Sequence, residues 1–394
     1  MQFFTETHID FMRLRGIFVV ASTLLTLLGL LYVGLGRLNI GIDFAGGTQL
    51  TLEFQQRPEL DQLRSVLAEA GMGAAQIQRF GIAERNEVLI RTSTVDGSEE
   101  GTSEHLLNVL DRAYNSADAS SGRLDLNRQG ADALAGMLSQ VNPESLELIE
   151  GEVPERYQQA AEAILELRRQ EGLISTWDEV TALPEVTPAM AEALKTQSYL
   201  GTYSLLSVEN VGPQIGSELR SKGIWAVLLS LAGMLVYIAL RFELRFGIGA
   251  VVASIHDVAV TLGLFAILGF EFNVTTIAAF LTLVGYSVND TVVVFDRVRE
   301  NMRRVRREPL VDVLNRSLNQ TLSRTLMTSF TTFVVVLMLL IFGGDTIRGF
   351  AFVLTIGIFV GTYSSIYVAS PIVLVWERWF GRDVRAARRA TVAR

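Results

Sequence analysis

The chain has 394 residues, of which 49% are hydrophobic and only 19% charged, with 42 acidic and 34 basic residues and a net charge of −8. Ordinary soluble domains carry about 25% charged residues, so a purely soluble protein is excluded, and the charge must be concentrated in part of the chain. The absence of cysteine excludes disulfide scaffolds, thiolate metal sites and cysteine nucleophiles, and three histidines, His8, His105 and His256, are too few for a multi-histidine metal centre.

A bilayer core of roughly 30 Å is crossed by about 20 mostly apolar helical residues. The first such run, Gly16 to Leu35, follows Arg13 and Arg15 and leads into GRLNIGIDF with no A-x-A-like cleavage site, so it reads as an uncleaved signal anchor. From Ile40 the chain reads GIDFAGGTQLTLEF, whose second half alternates like a strand, and Leu60, Leu63, Val66 and Leu67 then recur at helical spacing before Gly71. AAQIQRFGI and EVLIRTS read as strands around a turn at Glu84 to Asn86, SEHLLNVLDRAY as a second helix, and Tyr199 to Val208 as a last strand. The order β-α-β-β-α-β predicts a ferredoxin-like α+β domain. About Asp118 to Ser198 is an insertion without strand character. Its stretches LDLNRQGADALAGML, YQQAAEAILELRRQEGLI and WDEVTALPEVTPAMAEALKTQ read as short helices and resemble the helix-hairpin-helix repeats of competence and secretion proteins. In that motif a glycine-bearing hairpin turns backbone N–H groups toward a phosphate. Here the hairpin reads PEVTP and the segment is acid-rich, which favours a protein-contacting module or an inert insertion over DNA binding.

Five further apolar runs follow: Ile224 to Leu240, Phe246 to Phe270, Val274 to Phe295, Leu326 to Phe342 and Ile347 to Trp376. The chain thus divides into an N-terminus with a first span (1–36), a large loop domain (37–222), spans two to six (223–378) and a basic tail (379–394). Arginines near the helix ends mark the cytoplasmic side of a multi-pass membrane protein. Arg297, Arg299, Arg303, Arg304, Arg306, Arg307, Arg316 and Arg324 crowd the connection after span four, and Arg378 with five arginines of the tail follows span six. The turns Glu271 to Asn273 and Gly343 to Thr346 hold no basic residue. Both termini are therefore expected in the cytoplasm and the large domain outside it, which in the family named below means the periplasm. That domain carries 29 acidic and 15 basic residues, a net of −14 against +6 for the rest. The arginine-rich connection reads as a topology signal with affinity for anionic headgroups, since nucleic-acid binding would call for interleaved aromatics. Val311, Val313, Leu314 and Leu318 predict an interfacial amphipathic helix there.

Charged residues inside a span are costly and mark ion pathways or bundle partners. His256 and Asp257 stand in SIHDVAVT about ten residues, or roughly 15 Å, into the third span, and Asp290 stands in LVGYSVNDTVVVFDR roughly 9 Å before Asp296. Arg324 opens the fifth span in NQTLSRTLMTSFTT, among Thr325, Thr328, Ser329, Thr331 and Thr332. A buried carboxylate is held only when protonated or paired, so Asp290 near Arg324 can alternate between the two as protons come and go. The alternative for all four is a fixed ion pair or polar seam that only holds helices together. Asp296, at the interface, reads as a solvated anchor. Gly247, Gly249, Ala250 and Ala253, with Gly357 and Gly361, supply small packing residues. No stretch GxxxxGK followed by Ser or Thr exists, so a P-loop motor is not encoded, and neither a cofactor nor an enzymatic activity is expected.

GIDFAGGTQL, VGPQIGSELRSKG, RFELRFGIGAVVASIHDVAVT, EFNVTTIAAFLTLVGYSVNDTVVVFDRVREN and NQTLSRTLMTS together resemble the SecF family, the smaller partners of SecD in the bacterial protein-translocase accessory complex. That family is related to proton-driven exporters of the resistance-nodulation-division type. The resemblance covers nearly all of the membrane part and both flanks of the loop domain; the insertion Asp118 to Ser198 departs from it. It implies proton transport by Asp290 and Arg324, joined here by Asp257 and His256. It also implies action with SecD, YajC and the SecYEG channel on an unfolded preprotein, driven by the proton-motive force. Two other readings stay open: a small-molecule exporter of the same superfamily, and an anchoring protein whose insertion captures DNA or a secretion partner. Six spans without internal repeat imply a partner half, because related pumps use two such halves.

Overall fold

The computed structural model describes residues 7–81, 85–93, 99–119, 121–147, 153–241, 243–304 and 308–380. In chain order they form α1 (Phe11–Gly34), β1 (Asn39–Ile40), α2 (Ile42–Ala45), β2 (Gly47–Phe54), α3 (Leu60–Glu69), β3 (Gln76–Arg79), β4 (Glu87–Thr92), α4 (Glu99–Tyr114) and α5 (Ser116–Ala119). Next come β5 (Leu124–Asp125), α6 (Ala131–Val141), α7 (Glu155–Glu171), α8 (Trp177–Thr181), α9 (Pro188–Gln197), β6 (Ser198–Tyr199) and β7 (Tyr203–Val211). The remainder is α10 (Pro213–Arg241), α11 (Leu244–Ile267), β8 (Glu271–Phe272), α12 (Val274–Arg304), α13 (Leu310–Phe342) and α14 (Asp345–Ser364), which runs into a π-helical turn, Ser365–Ala369. The chain clusters into two compact units, 45–217 and a second one made of 1–44 with 218–394. Arg306, Arg307, Glu84 of the expected turn, and the tail from residue 381 lie outside the described residues.

Unit 45–217 is built on one antiparallel sheet in the order β3-β4-β2-β7. With α3 after β2 and α4 after β4, this is the expected ferredoxin-like arrangement. Alternation along β2 explains its place in the centre. Leu50, Leu52 and Phe54 face α3 and α4, where they meet Leu63, Leu67, Leu106 and Leu110 in one buried core. Gln49, Thr51 and Glu53 take the other face and are also buried, as is Thr48 on the helix face.

The insertion has a core of its own. Leu134, Ala135 and Leu138 of α6, Tyr157, Ala160, Ala161 and Ile164 of α7, and Met190 and Leu194 of α9 are buried together. Side-chain caps start two of its helices: Thr176 and Glu179 form a reciprocal capping box at α8, and the Thr187 hydroxyl accepts from the Met190 amide at α9. The expected single strand from Tyr199 is in fact two. Ser198–Tyr199 pairs in parallel with Leu124–Asp125, so the insertion also carries strand pairing at its base. Gly201 breaks the run because its amide donates to the Asp125 carboxylate (3.0 Å) before β7 begins. Asn127, fully buried, ties the base together: its amide donates to the carbonyls of Ile174 (2.9 Å) and Gly201 (3.0 Å), and its oxygen accepts from the Ile174 amide (2.9 Å).

Among the described residues six helices are long and apolar enough to cross a membrane: Phe11–Gly34, Pro213–Ile238, Leu244–Ile267, Val274–Arg304, Leu310–Phe342 and Thr346–Phe380. At 1.5 Å per residue, α12 and α13 reach about 45 to 50 Å, well beyond a bilayer core of roughly 30 Å. This corrects the expected interfacial helix. Pro309 caps the start of α13, nothing breaks the helix before Gly343, and Val313, Leu314 and Leu318 are buried inside the bundle.

Two apolar layers organise the membrane unit. One contains Phe11, Phe246, Ala253, Val294, Phe295, Leu314, Leu318 and Val373. The other contains Phe265, Phe280, Leu283, Val336, Phe352, Val353 and Ile358. On α11, α12, α13 and α14 alike, the residues between these layers are polar: His256 and Asp257, Ser287 and Asp290, Thr325 and Ser329, Thr362 and Ser364. A polar layer is thus enclosed between two apolar ones. Glycines let the helices close around it. A Cβ on Gly357 would stand 2.5 Å from a Leu283 methyl, and one on Gly361 would stand 3.3 Å from the Ser287 side chain.

Candidate functional site

The polar layer holds two hydrogen-bonded clusters. In the first, Asp257 is fully buried, and each carboxylate oxygen has its own partners. Oδ1 faces Nδ1 of His256 at 2.9 Å. Oδ2 accepts from the hydroxyls of Ser287 on α12 (2.5 Å) and Ser364 on α14 (2.8 Å). The far nitrogen of the imidazole, Nε2, meets the Ser22 hydroxyl from α1 in a short contact and the Tyr363 hydroxyl at 3.3 Å. Four helices therefore converge on one acid and one base, which share a buried site because they are adjacent on α11.

In the second cluster, Asp290 is also buried and accepts from the Ser329 hydroxyl of α13 (3.1 Å), which in turn accepts from Thr362 of α14 (2.9 Å). A carboxylate can accept about four hydrogen bonds, so Asp290 is sparsely held. Arg324 is exposed on α13, five residues or about 7.5 Å of helical rise before Ser329. Among the described residues no ion pair joins it to Asp290, although its charge reaches that carboxylate. The expected pairing is thus an unbonded proximity, with a hydroxyl in the arginine's place. Chemically, gain or loss of a proton at Asp290 changes whether it holds Ser329 or draws Arg324 toward it. Asp296 is exposed, as its interfacial position suggests.

The structure brings together His256 with Asp257, and Asp290 with Ser329; it keeps the two carboxylates in separate clusters linked through α12 and α14. Ser287 lies one turn before Asp290 on α12, and Thr362 and Ser364 of α14 each serve a different carboxylate. A π-helical turn starts directly after them at Ser365; single π turns inside helices recur at functional sites. Sequence reasoning missed Ser22, Ser287, Tyr363 and Ser364, since lone hydroxyls in apolar runs leave no periodic signal. No metal-ligating group of three or more carboxylates or histidines occurs among the described residues.

Fold and site define a multi-pass membrane protein with an α+β domain after its first span and a charged layer within its bundle. Residues 191–379 match the family described as protein export membrane protein SecD/SecF, C-terminal, and residues 37–56 match the SecD/SecF GG motif. The protein translocase subunit SecF of Koribacter versatilis is 40% identical over 98% of this chain and 96% of its own length. The SecDF subunit of Thermus thermophilus is 52% identical over 44% of this chain and 24% of its own. A crystal structure of Thermus SecDF, described as a translocon-associated membrane protein, superposes with a TM-score of 0.65 at 32% identity. That match covers 94% of this chain, which spans 39% of the SecDF chain. The chain belongs to the SecF family of protein translocase subunits.

Proposed function

We propose that this chain is an accessory subunit of the Sec translocase that works with SecD and uses the proton-motive force to assist late movement of preproteins across the cytoplasmic membrane. The observation that carries the proposal is Asp290, a buried and sparsely bonded carboxylate between two apolar layers, beside a helix that offers it both Ser329 and Arg324. Proton passage at Asp290 and Arg324, with His256 and Asp257 as the neighbouring acid-base pair, would change the contacts of α12, α13 and α14. Those helices sit in the chain that carries the 45–217 unit, the part that would handle the emerging polypeptide. The basic connection after α12 supports cytoplasmic termini and a periplasmic unit.

A SecDF relative in which one chain spans far more than this one supports SecD as the missing half. SecYEG, YajC and an unfolded preprotein complete the expected assembly. DNA binding by the insertion is disfavoured on chemical grounds. At the helix start where a phosphate would sit, Thr187 donates to the Glu144 carboxylate (2.8 Å), so the position is already held by an anion. The proposal is tested by reconstituting the chain with SecD in vesicles containing the translocation channel and following a preprotein arrested after its ATP-driven insertion. Completion that requires the gradient and both chains supports it. Completion at the same rate after the gradient is collapsed refutes it.

A further inference from the structure

The first span makes more than an anchor. Along one side of α1, three contacts fix it on the bundle: Phe18 stacks on Tyr367 of the π-helical turn (3.9 Å between centroids), Ser22 meets His256, and Gly29 lies against Gly263 of α11. The last contact is backbone on backbone. A Cβ on Gly29 would stand 2.8 Å from the Gly263 Cα, and one on Gly263 would stand 2.5 Å from the Gly29 Cα. Ser22 to Gly29 and His256 to Gly263 are both seven residues, two helical turns, so the glycine contact sets the depth at which Ser22 meets the imidazole. Most of the remaining α1 surface is exposed and apolar.

The hydrogen-bond partners settle which ring nitrogen exchanges. Oδ2 of Asp257 already accepts from two hydroxyls, and Oδ1 faces Nδ1. A carboxylate that accepts on both oxygens leaves Nδ1 as the nitrogen that donates. Nε2 is then the open position, and its neighbours are hydroxyls that can either donate or accept. We propose that His256 is a second protonation site of the membrane unit, loaded and unloaded at Nε2, and that Ser22 of α1, held there by the Gly29 and Gly263 contact, is the residue that positions that proton. This rests on the proton-driven reading given above and adds to it a named atom and a role for the first helix.

The step balances simply. A hydronium gives up one proton, an N–H bond forms at Nε2 and a water is left. The imidazolium then donates to Asp257 through Nδ1 and to Ser22 through Nε2, and unloading is the reverse. The ionisable groups carried near the ring by the helices packed around it are few. α11 brings Asp257, α12 brings Asp290 one turn beyond Ser287, and α14 with its π turn brings Tyr363 and Tyr367. The part of α1 between Arg15 and Tyr32 holds none.

The test is nitrogen-15 magnetic resonance of histidine-labelled full-length protein, with SecD, in lipid nanodiscs, His256 being assigned by the loss of its signals in His256→Gln. Between about pH 9 and pH 5, the proposal expects Nδ1 to stay protonated and Nε2 to gain its proton. Ser22→Ala should displace the Nε2 resonance while leaving Nδ1 in place, and Ser22→Thr should restore it. Gly29→Leu, which keeps the serine but separates the helices, should reproduce the alanine spectrum. An Nε2 that carries no proton anywhere in that range, or a resonance unchanged in Ser22→Ala, overturns the proposal. These outcomes do not depend on translocation. A normal spectrum together with gradient-independent translocation would sink the proton-driven reading and leave the assignment of the site standing.

Discussion

Lowering the pH from 7.5 to 5 should tighten the base of the helical insertion, the reverse of ordinary acid loosening. Asp125 is the cause. Its Oδ1 accepts from the amides of Asn127 and Gly201, but its Oδ2 is buried and has no partner among the described residues. Burial raises its pKa from 3.8 to about 6 against the opposing pull of those two amides; Asp111 adds to the rise, and Arg128 subtracts from it. In the folded unit the carboxyl therefore binds its proton at pH values where the unfolded chain has already lost it. The stability it contributes is complete below pH 3.8 and is lost as the pH rises through about 6. At about 1.4 kcal/mol for each pH unit the whole loss is about 3 kcal/mol, and roughly half of it returns between pH 7.5 and pH 5. That half is about a tenfold change in local opening. Hydrogen exchange of the Asn127 and Gly201 amides in the full-length protein, corrected for intrinsic exchange rates, reads it directly. Asp125→Asn should abolish the slope and slow opening at pH 7.5. If the variant keeps the wild-type slope, or the wild type opens more readily at pH 5, the reasoning is wrong.

Further outcomes follow from the packing. Leu138→Ala in the fully buried insertion core should cost about 3 kcal/mol and speed exchange in α6, α7 and α9 while leaving the β2 amides protected, because the two cores are separate. Asn127→Ala strands the polar groups of Ile174 and Gly201 and should cost about 2 to 4 kcal/mol, measured by thermal unfolding of the 45–217 unit within the whole protein. Gly357→Val drives a side chain into Leu283 and should lower the melting temperature of the detergent-solubilised protein, at an overpacking cost of about 1 to 3 kcal/mol. No change in melting would show that α12 and α14 are not packed as closely as described.

What the sequence reveals, and what it hides, follows the range of each interaction. Apolar runs of about 20 residues expose all six spans, and period-two and helical spacings expose the ferredoxin-like order, since these signals are local. Helix ends are not local in the same way: α12 and α13 extend past their apolar windows because nothing breaks them, and their polar ends stay helical by packing on the bundle. Asp257 and Asp290 announce themselves as charges in apolar surroundings. Their partners do not, because Ser22 meets His256 across 234 positions of sequence and Ser364 meets Asp257 across 107. Arg324 is legible as an intramembrane cation but not as an exposed one, for its orientation depends on how α13 turns toward α12. The Gly201 break in the last strand depends likewise on Asp125, 76 residues earlier.

The central claim is that Asp290 converts a proton gradient into movement of the translocase. It is tested most directly by reconstituting Asp290→Asn with SecD and the channel, and comparing completion of an arrested preprotein with and without an imposed gradient. Asparagine keeps the size of the side chain and its hydrogen bonding to Ser329 while removing the exchangeable proton. The complex should assemble as the wild type does, and the variant should gain nothing from the gradient. Wild-type acceleration by the gradient in an assembled Asp290→Asn complex would contradict the claim.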